Sequence, residues 1–395
     1  MRAILVNHCH PETQHVCAVR AREFAGALAR RGHGITLLTE TLSPEDPAET
    51  PDALRGRLAD HDWSKPLILA CRPSGHAFLR RQRTGDLPAP LGRLTVAGYY
   101  AAAGSVFCDW GRGAAPYVPV LADIFKPDIV WATFGNTESL RIAQRIAAAS
   151  GCPWIFDVKD YWSAFLPRPV RIAVARRYRD AAAMTALSQG HVRDIAPFVP
   201  GTPTVIYSGI PDTHIPAPET APDANRIVLS GAVYDTGHLR TLIDGVSAWS
   251  RGRAAIDYAG HEGALVAAAI ARRPGIAAFT DHGYIPLPAL HRLQAGALAN
   301  AFIRSGPGWF QHKVPELLSA RRPIISLPES DAESVGLAGR AGIPFFNCAT
   351  AAHVAEALAA ARDGAPIRPD SDFLASFSWD SRAEALEKVM LSAIR

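Results

Sequence analysis

Lysine is scarce in this chain, with five residues against 36 arginines, and no uncharged apolar run reaches the roughly 18 to 20 residues needed to cross a bilayer. A membrane-embedded bundle is therefore not indicated. The opening MRAILVNHCHPE lacks the charged leader, long apolar region and small-residue cleavage site of a signal peptide, so none is expected. The six cysteines, Cys9, Cys17, Cys71, Cys108, Cys152 and Cys348, show no paired short spacing. That argues against a disulfide framework and a zinc site, and it fits a reducing cytoplasm. Nor is charge of one sign in excess. The formal net charge is +4, too little for the strongly basic, aromatic-interleaved face of a nucleic-acid binder.

What is present is the pattern of an α/β protein. At 395 residues the chain exceeds one ordinary core, and two domains are expected. RAILVN reads as a buried strand, and the segment from Val16 to Arg31 carries apolar residues at helical spacing until Gly32 stops it. GITLLTE, from Gly34, is a second strand. Such a βαβ unit has a right-handed crossover and parallel strands. The pattern returns at IVWAT, a helix over 139–150, PWIFDV, a helix near 168–180, and MTALS. Residues 41–120 between them read as a Pro- and Arg-rich excursion suited to acceptor-binding elements. PAPETAPDAN has no apolar period and predicts a linker, after which RIVLSGA opens a second α/β series. The expected division is an N-terminal Rossmann-like acceptor-binding domain over 1–212, a linker over 213–225, a Rossmann-like nucleotide-binding domain over 226–378, and a helix over 379–395 that packs back on the N-domain.

Two such domains in tandem create a cleft at the carboxyl ends of their strands, where open sheets bind ligands. The dinucleotide fingerprint Gly-x-Gly-x-x-Gly is missing after both first strands, which are followed by NHCHPETQH and SGAVYDTGH, and a Walker loop is missing too. A dehydrogenase is thereby the least favoured reading. Five blocks resemble instead, in order and over nearly the whole chain, the family-4 glycosyltransferases, retaining enzymes of the GT-B fold. These are the opening strand, loop and helix through GITLLT; PDIVWATFGNTESLRIAQRIAAASGCPWIFDVKDYW; ALSQGHVRDI followed by TVIYSGIPD; GYIPLPALHRL; and HKVPELLSARRPIISLPES. The resemblance implies two Rossmann-like doubly wound domains facing across a cleft. It implies transfer of a sugar from a nucleoside diphosphate donor, with no cofactor and no required metal.

Within the last block the resemblance implies that Glu316 accepts hydrogen bonds from the ribose hydroxyls and that Lys313 neutralises the diphosphate. The chemistry agrees: a carboxylate only accepts and suits a vicinal diol, while an ammonium suits a diphosphate that gains charge as it leaves. An exposed lysine and a helix-surface glutamate would read the same way in the sequence. Gly308 stands where the family has a further Glu, so the amides of the Gly306–Gly308 turn are the expected substitute. SGAVYDTGHLR offers Gly231 and Arg240 as additional donor contacts.

In the first loop the family's glycine pair is replaced by Gln14 and His15. His8, Cys9, His10 and His15 cluster there, and imidazole and thiolate are good metal ligands. Histidines at a strand end equally suit acceptor hydroxyls or phosphate, and acceptor binding without a metal is the expectation for His8, His10 and His15. FDVKDYW places Asp157, Lys159 and Asp160 past a buried strand. Asp157 is expected at the acceptor, and Lys159 and Asp160 in catalysis, with Asp160 orienting the acceptor, acting as a base, or capping the strand end.

The expected partners are a nucleotide sugar and a glycan, lipid-linked or small-molecule acceptor, and no nucleic acid. Arg168, Arg171, Arg176, Arg177 and Arg179 lie among Val170, Ile172, Ala173, Val174 and Tyr178. Such a basic amphipathic helix suits an anionic membrane surface or simply faces solvent. A cytoplasmic location, with contact to the inner face of the cytoplasmic membrane, follows as an expectation. Two other readings stay open: a degenerate GT-B module that binds a sugar nucleotide or a partner without catalysis, and a nucleotide-sugar epimerase.

Overall fold

The computed structural model describes residues 1–13, 15–43, 45–75, 77–83, 85–211, 222–271, 273–304 and 309–395. The chain divides into two compact units, Met1–Tyr207 with Arg382–Arg395, and Ser208–Ser381. Each is built on one parallel sheet.

The first sheet comprises β1 (Arg2–Val6), β2 (Gly34–Glu40), β3 (Leu67–Cys71), β4 (Ile129–Phe134), β5 (Trp154–Val158), β6 (Ala183–Ala186) and β7 (Thr204–Val205), in the order β3-β2-β1-β4-β5-β6-β7. Its central strands are apolar runs without alternation, as burial on both faces requires. Ile4, Leu5, Ile129, Val130 and Trp131 are fully buried. The helix Val16–Arg30 turns Cys17, Ala21, Phe24 and Leu28 inwards, one helical face, and Phe24 meets Trp131 edge-on at 5.8 Å. The helix Thr137–Ser150 begins where the Asn136 side chain accepts from the amides of Glu138 and Ser139, and it ends at left-handed Gly151.

Residues 41–120 are not a free excursion. They contribute β3, paired along its length with β2, and the helices Pro51–Asp60, Ala77–Arg83, Ala89–Ala103 and Cys108–Ala114. Arg83 holds this segment together with a two-pronged contact to Asp109, both distances 2.8 Å.

The second sheet comprises β8 (Asp223–Ser230), β9 (Ala254–Ala259), β10 (Ile276–Asp281), β11 (Ala297–Ile303), β12 (Ile324–Leu327) and β13 (Phe345–Asn347), in the order β10-β9-β8-β11-β12-β13. Residues 223–225, expected in the linker, are already strand, while residues 212–221 lie outside the described residues. The helices Thr236–Ser250 and Ala351–Asp363 pack closely at Gly245, where a Cβ would collide with Val354 and the Ala351 carbonyl.

In both sheets the strand order reverses at the first strand, between β1 and β4 and between β8 and β11. Connections run outwards on either side of those points, leaving a crevice at the carboxyl ends. Among the described residues, no helix is long and apolar enough to cross a membrane.

Candidate functional site

In the unit Ser208–Ser381 the crevice is lined from below by the ends of β8 and β11. β8 ends at Ser230, and Gly231 follows with φ +84°. A side chain there would be strained and would collide with Lys313 Nζ. Lys313 precedes the helix Val314–Ser319 and donates to the Ser230 carbonyl at 2.6 Å, 5.7 Å above the Phe302 ring. Glu316, one turn on, accepts from Gln294 Nε2 at 2.8 Å. The same Gln294 nitrogen lies 3.3 Å from Ser230 Oγ, tying the carboxylate to the strand end.

Burial lowers the Lys313 pKa to about 8, against the pull of Glu316 and Glu262. Burial likewise raises Glu316, against Gln294 and Lys313. Both charges are thus held where water does little to stabilise them, a common property of functional sites. Tyr258, buried on β9, reaches the end of β8. Its hydroxyl is 3.0 Å from the Gly231 carbonyl and 2.6 Å from Glu262 Oε2.

Of the other donor-side residues, Arg240 is exposed on the helix Thr236–Ser250. Gly306 and Gly308 lie outside the described residues, as does Gln14 of the first loop. Gln294, Tyr258 and Glu262 were not singled out in the sequence. They sit on an ordinary-looking helix, strand and loop respectively and carry no motif that could have marked them.

In the other unit, residues from three strand ends meet at the reversal between β1 and β4. His8 and Cys9 follow β1, Gly135 follows β4, and Lys159 and Asp160 follow β5. His8 Nε2 is 3.2 Å from Cys9 Sγ, and Gly135 gives the imidazole its room. Burial lowers the His8 pKa to about 4, so the ring is neutral. His15 caps the helix Val16–Arg30 by accepting from the Cys17 amide at 3.2 Å.

Lys159 is almost fully buried, with Nζ 2.5 Å from Cys17 Sγ and 3.0 Å from Asp160 Oδ2. Burial disfavours its charge, but Cys17 and Asp160 outweigh burial and hold its pKa above the usual lysine value. Asp160 is raised, chiefly by burial. His10 instead turns to its own loop, where Nδ1 accepts from the Glu12 amide.

Asp157 is placed apart from this group. It is fully buried on β5, with Oδ1 2.7 Å from Thr185 Oγ1 and 3.2 Å from Arg20 Nη2. Arg20 also donates to the Ile206 carbonyl and stacks over Phe24, so Asp157 ties the sheet to the first helix.

The ligand-type atoms of Cys9, His15 and Cys17 lie within 4.8 Å of one another. The sequence showed the two cysteines eight residues apart with no paired spacing. The loop after β1 brings them together by returning to the start of the helix. A thiophilic metal has suitable donors there, although the Lys159 ammonium already neutralises Cys17.

No protein-family model and no curated protein matches the sequence. Solved structures do resemble it. Sucrose-phosphate synthase from Thermosynechococcus elongatus is 12% identical over 99% of this chain and 98% of its own, with a TM-score of 0.66. Anabaena HepE in complex with UDP-glucose is 13% identical over 100% and 97%, with a TM-score of 0.60. The N-terminal domain of Candida albicans trehalose-6-phosphate phosphatase is 12% identical over 99% and 97%, with a TM-score of 0.66. Identities this low speak for architecture alone: the chain has the α/β fold of the GT-B glycosyltransferases.

Proposed function

We propose that the protein transfers a sugar, with retention, from a nucleoside diphosphate donor to a glycan, lipid-linked or small-molecule acceptor. The observation that carries this reading is the half-buried Lys313 and Glu316, one turn apart at the β8/β11 reversal, one group suited to a diphosphate and the other to a ribose diol. The similarity to HepE, whose structure contains UDP-glucose, supports a nucleotide sugar as the donor. Gly231 gives phosphate close access to the backbone, and Arg240 is assigned a second phosphate contact.

On the acceptor side the reading assigns His8, His15, Lys159 and Asp160. Asp157 acts by fixing the strand beneath them, and His10 belongs to the loop. The leaving diphosphate itself takes the acceptor proton, so catalysis rests on positioning and on stabilising the departing charge. No metal is assigned to this step.

The exposed Phe165 and Ile172 beside the arginines of the helix Arg168–Arg177 support contact with an anionic membrane face, which suits a lipid-linked acceptor. The assigned location is therefore the cytoplasm at the inner face of the membrane.

The test combines thermal-shift titration with nucleoside diphosphates and assays of donor hydrolysis and transfer. Wild type is expected to be stabilised and to turn over. Lys313→Ala and Glu316→Ala should each lose at least about 100-fold in turnover, as for removal of a group that stabilises transition-state charge. Full activity in both variants removes the site assignment. Stabilisation without turnover points to a binding module, epimerised donor to an epimerase, and NMR of the product anomer decides retention.

A further inference from the structure

We propose that Cys17 and Cys9 form an oxidation-sensitive dithiol, in which a hydroperoxide oxidises Cys17 and Cys9 then closes a disulfide onto it. The proposal stands independently of the sugar-transfer reading. Cys17 lies in the first turn of the fifteen-residue helix Val16–Arg30, where free backbone amides favour an anion. Lys159 Nζ sits 2.5 Å from its sulfur, His15 faces it from the helix cap, and the Cys9 sulfur lies within 4.8 Å of it. Asp160 completes the group through Lys159, while Glu40 and Arg83 act on it from farther away.

Position selects this pair: the sulfurs of Cys9 and Cys17 lie within 4.8 Å of one another, beside the Lys159 ammonium. The Cys9 hydrogen bond, Lys159 and His15 hold Cys17 well below the usual thiol range in spite of burial. Burial raises Cys71 and Cys108, and pushes Cys152 and Cys348 each up to about 11. Cys9 is also raised, first by its hydrogen bond to Cys17. One sulfur is therefore the nucleophile and its neighbour the resolving thiol.

In the first step the Cys17 thiolate attacks a peroxide oxygen. The S–O bond forms as the O–O bond breaks, sulfur is oxidised and the peroxide reduced, and the departing oxyanion is protonated by water. In the second step the Cys9 sulfur attacks Cys17, the S–S bond forms, and the S–O bond breaks. The hydroxide leaves as water with the Cys9 proton. His8 Nε2, 3.2 Å from Cys9 Sγ, is placed to relay that proton. The disulfide leaves Asp160 as the remaining partner of Lys159.

The test treats reduced full-length protein with one equivalent of hydrogen peroxide and maps it by peptide mass spectrometry. A Cys9–Cys17 disulfide is expected in the wild type. Cys9→Ser should stop at a sulfenic acid on Cys17, trapped by a cyclic-diketone probe. Lys159→Met should slow Cys17 oxidation about tenfold and move its pH midpoint upwards. Oxidation beginning at any other cysteine overturns the proposal, as does a wild-type Cys17 that stays reduced. Protein purified with zinc, its cysteines resistant to peroxide, overturns it in favour of a metal site. The wild-type readouts decide the matter even if a variant fails to fold.

Discussion

Lys313 carries its charge in the crevice at a cost in stability. Its folded pKa of about 8 lies below the ordinary value of 10.5, so the unfolded chain binds the proton more tightly and stability rises with pH between those values. Below pH 8 the ammonium is present in the crevice at a cost. Lys313→Met is therefore expected to raise stability at pH 7 by about 1–2 kcal/mol while abolishing the stabilisation by nucleoside diphosphate. Chemical denaturation with and without nucleotide checks both halves, and a destabilised variant that still responds to nucleotide would refute the assignment. On the proposed function the ammonium is the form that meets a diphosphate, so affinity in the wild type should fall as pH rises past about 8, approaching tenfold per unit. Isothermal titration at several pH values measures that slope.

The last helix, Trp379–Ile394, belongs from Arg382 onwards to the first unit and meets its β1–β2 connection through a carboxylate. Glu387 lies 2.5 Å from Arg31 Nη2 and 2.5 Å from His33 Nε2. Burial works against its charge, but the hydrogen bonds from Arg31 and His33 prevail and hold its pKa below the usual glutamate value. A depressed carboxylate stabilises above its unfolded pKa and loses that contribution as pH falls through the folded one. Glu387→Gln should then cost about 1 kcal/mol at pH 7, a partly buried ion pair lying towards the upper end of what such pairs provide. The difference from wild type should begin to shrink as pH falls below the ordinary glutamate value of about 4.3 and vanish only below the lower folded one, as acid-unfolding curves of the two proteins would show.

At this scale the sequence was legible where periodicity was strong. The helices Val16–Arg30 and Thr137–Ser150 have clear apolar faces and glycine stops. β3 was missed because LILAC is short and sits between charged helices and a Pro- and Gly-bearing loop, so its neighbours hide its period.

For the whole molecule, two units with separate cores imply two unfolding transitions. Nucleoside diphosphate at 100 times its dissociation constant should stabilise the unit Ser208–Ser381 by about 2.7 kcal/mol and raise its transition by several degrees. The transition of the first unit should stay in place. Differential scanning calorimetry checks this, and equal shifts in both transitions would mean that the two cores melt as one.

The α/β class and the tandem of parallel sheets were determined by the sequence alone, because buried parallel strands and amphipathic crossover helices impose local apolar patterns. Lys313 and Glu316 could also be picked out, the first helped by the rarity of lysine in this chain. Only the tertiary structure decided that Gln294 holds Glu316, that Asp157 braces Arg20 inside the sheet, and that Cys17 meets Cys9 and Lys159. Those contacts join residues from different strands and helices. Their energies depend on distance and burial, which chain order does not encode, whereas periodicity is written in the order of the residues itself.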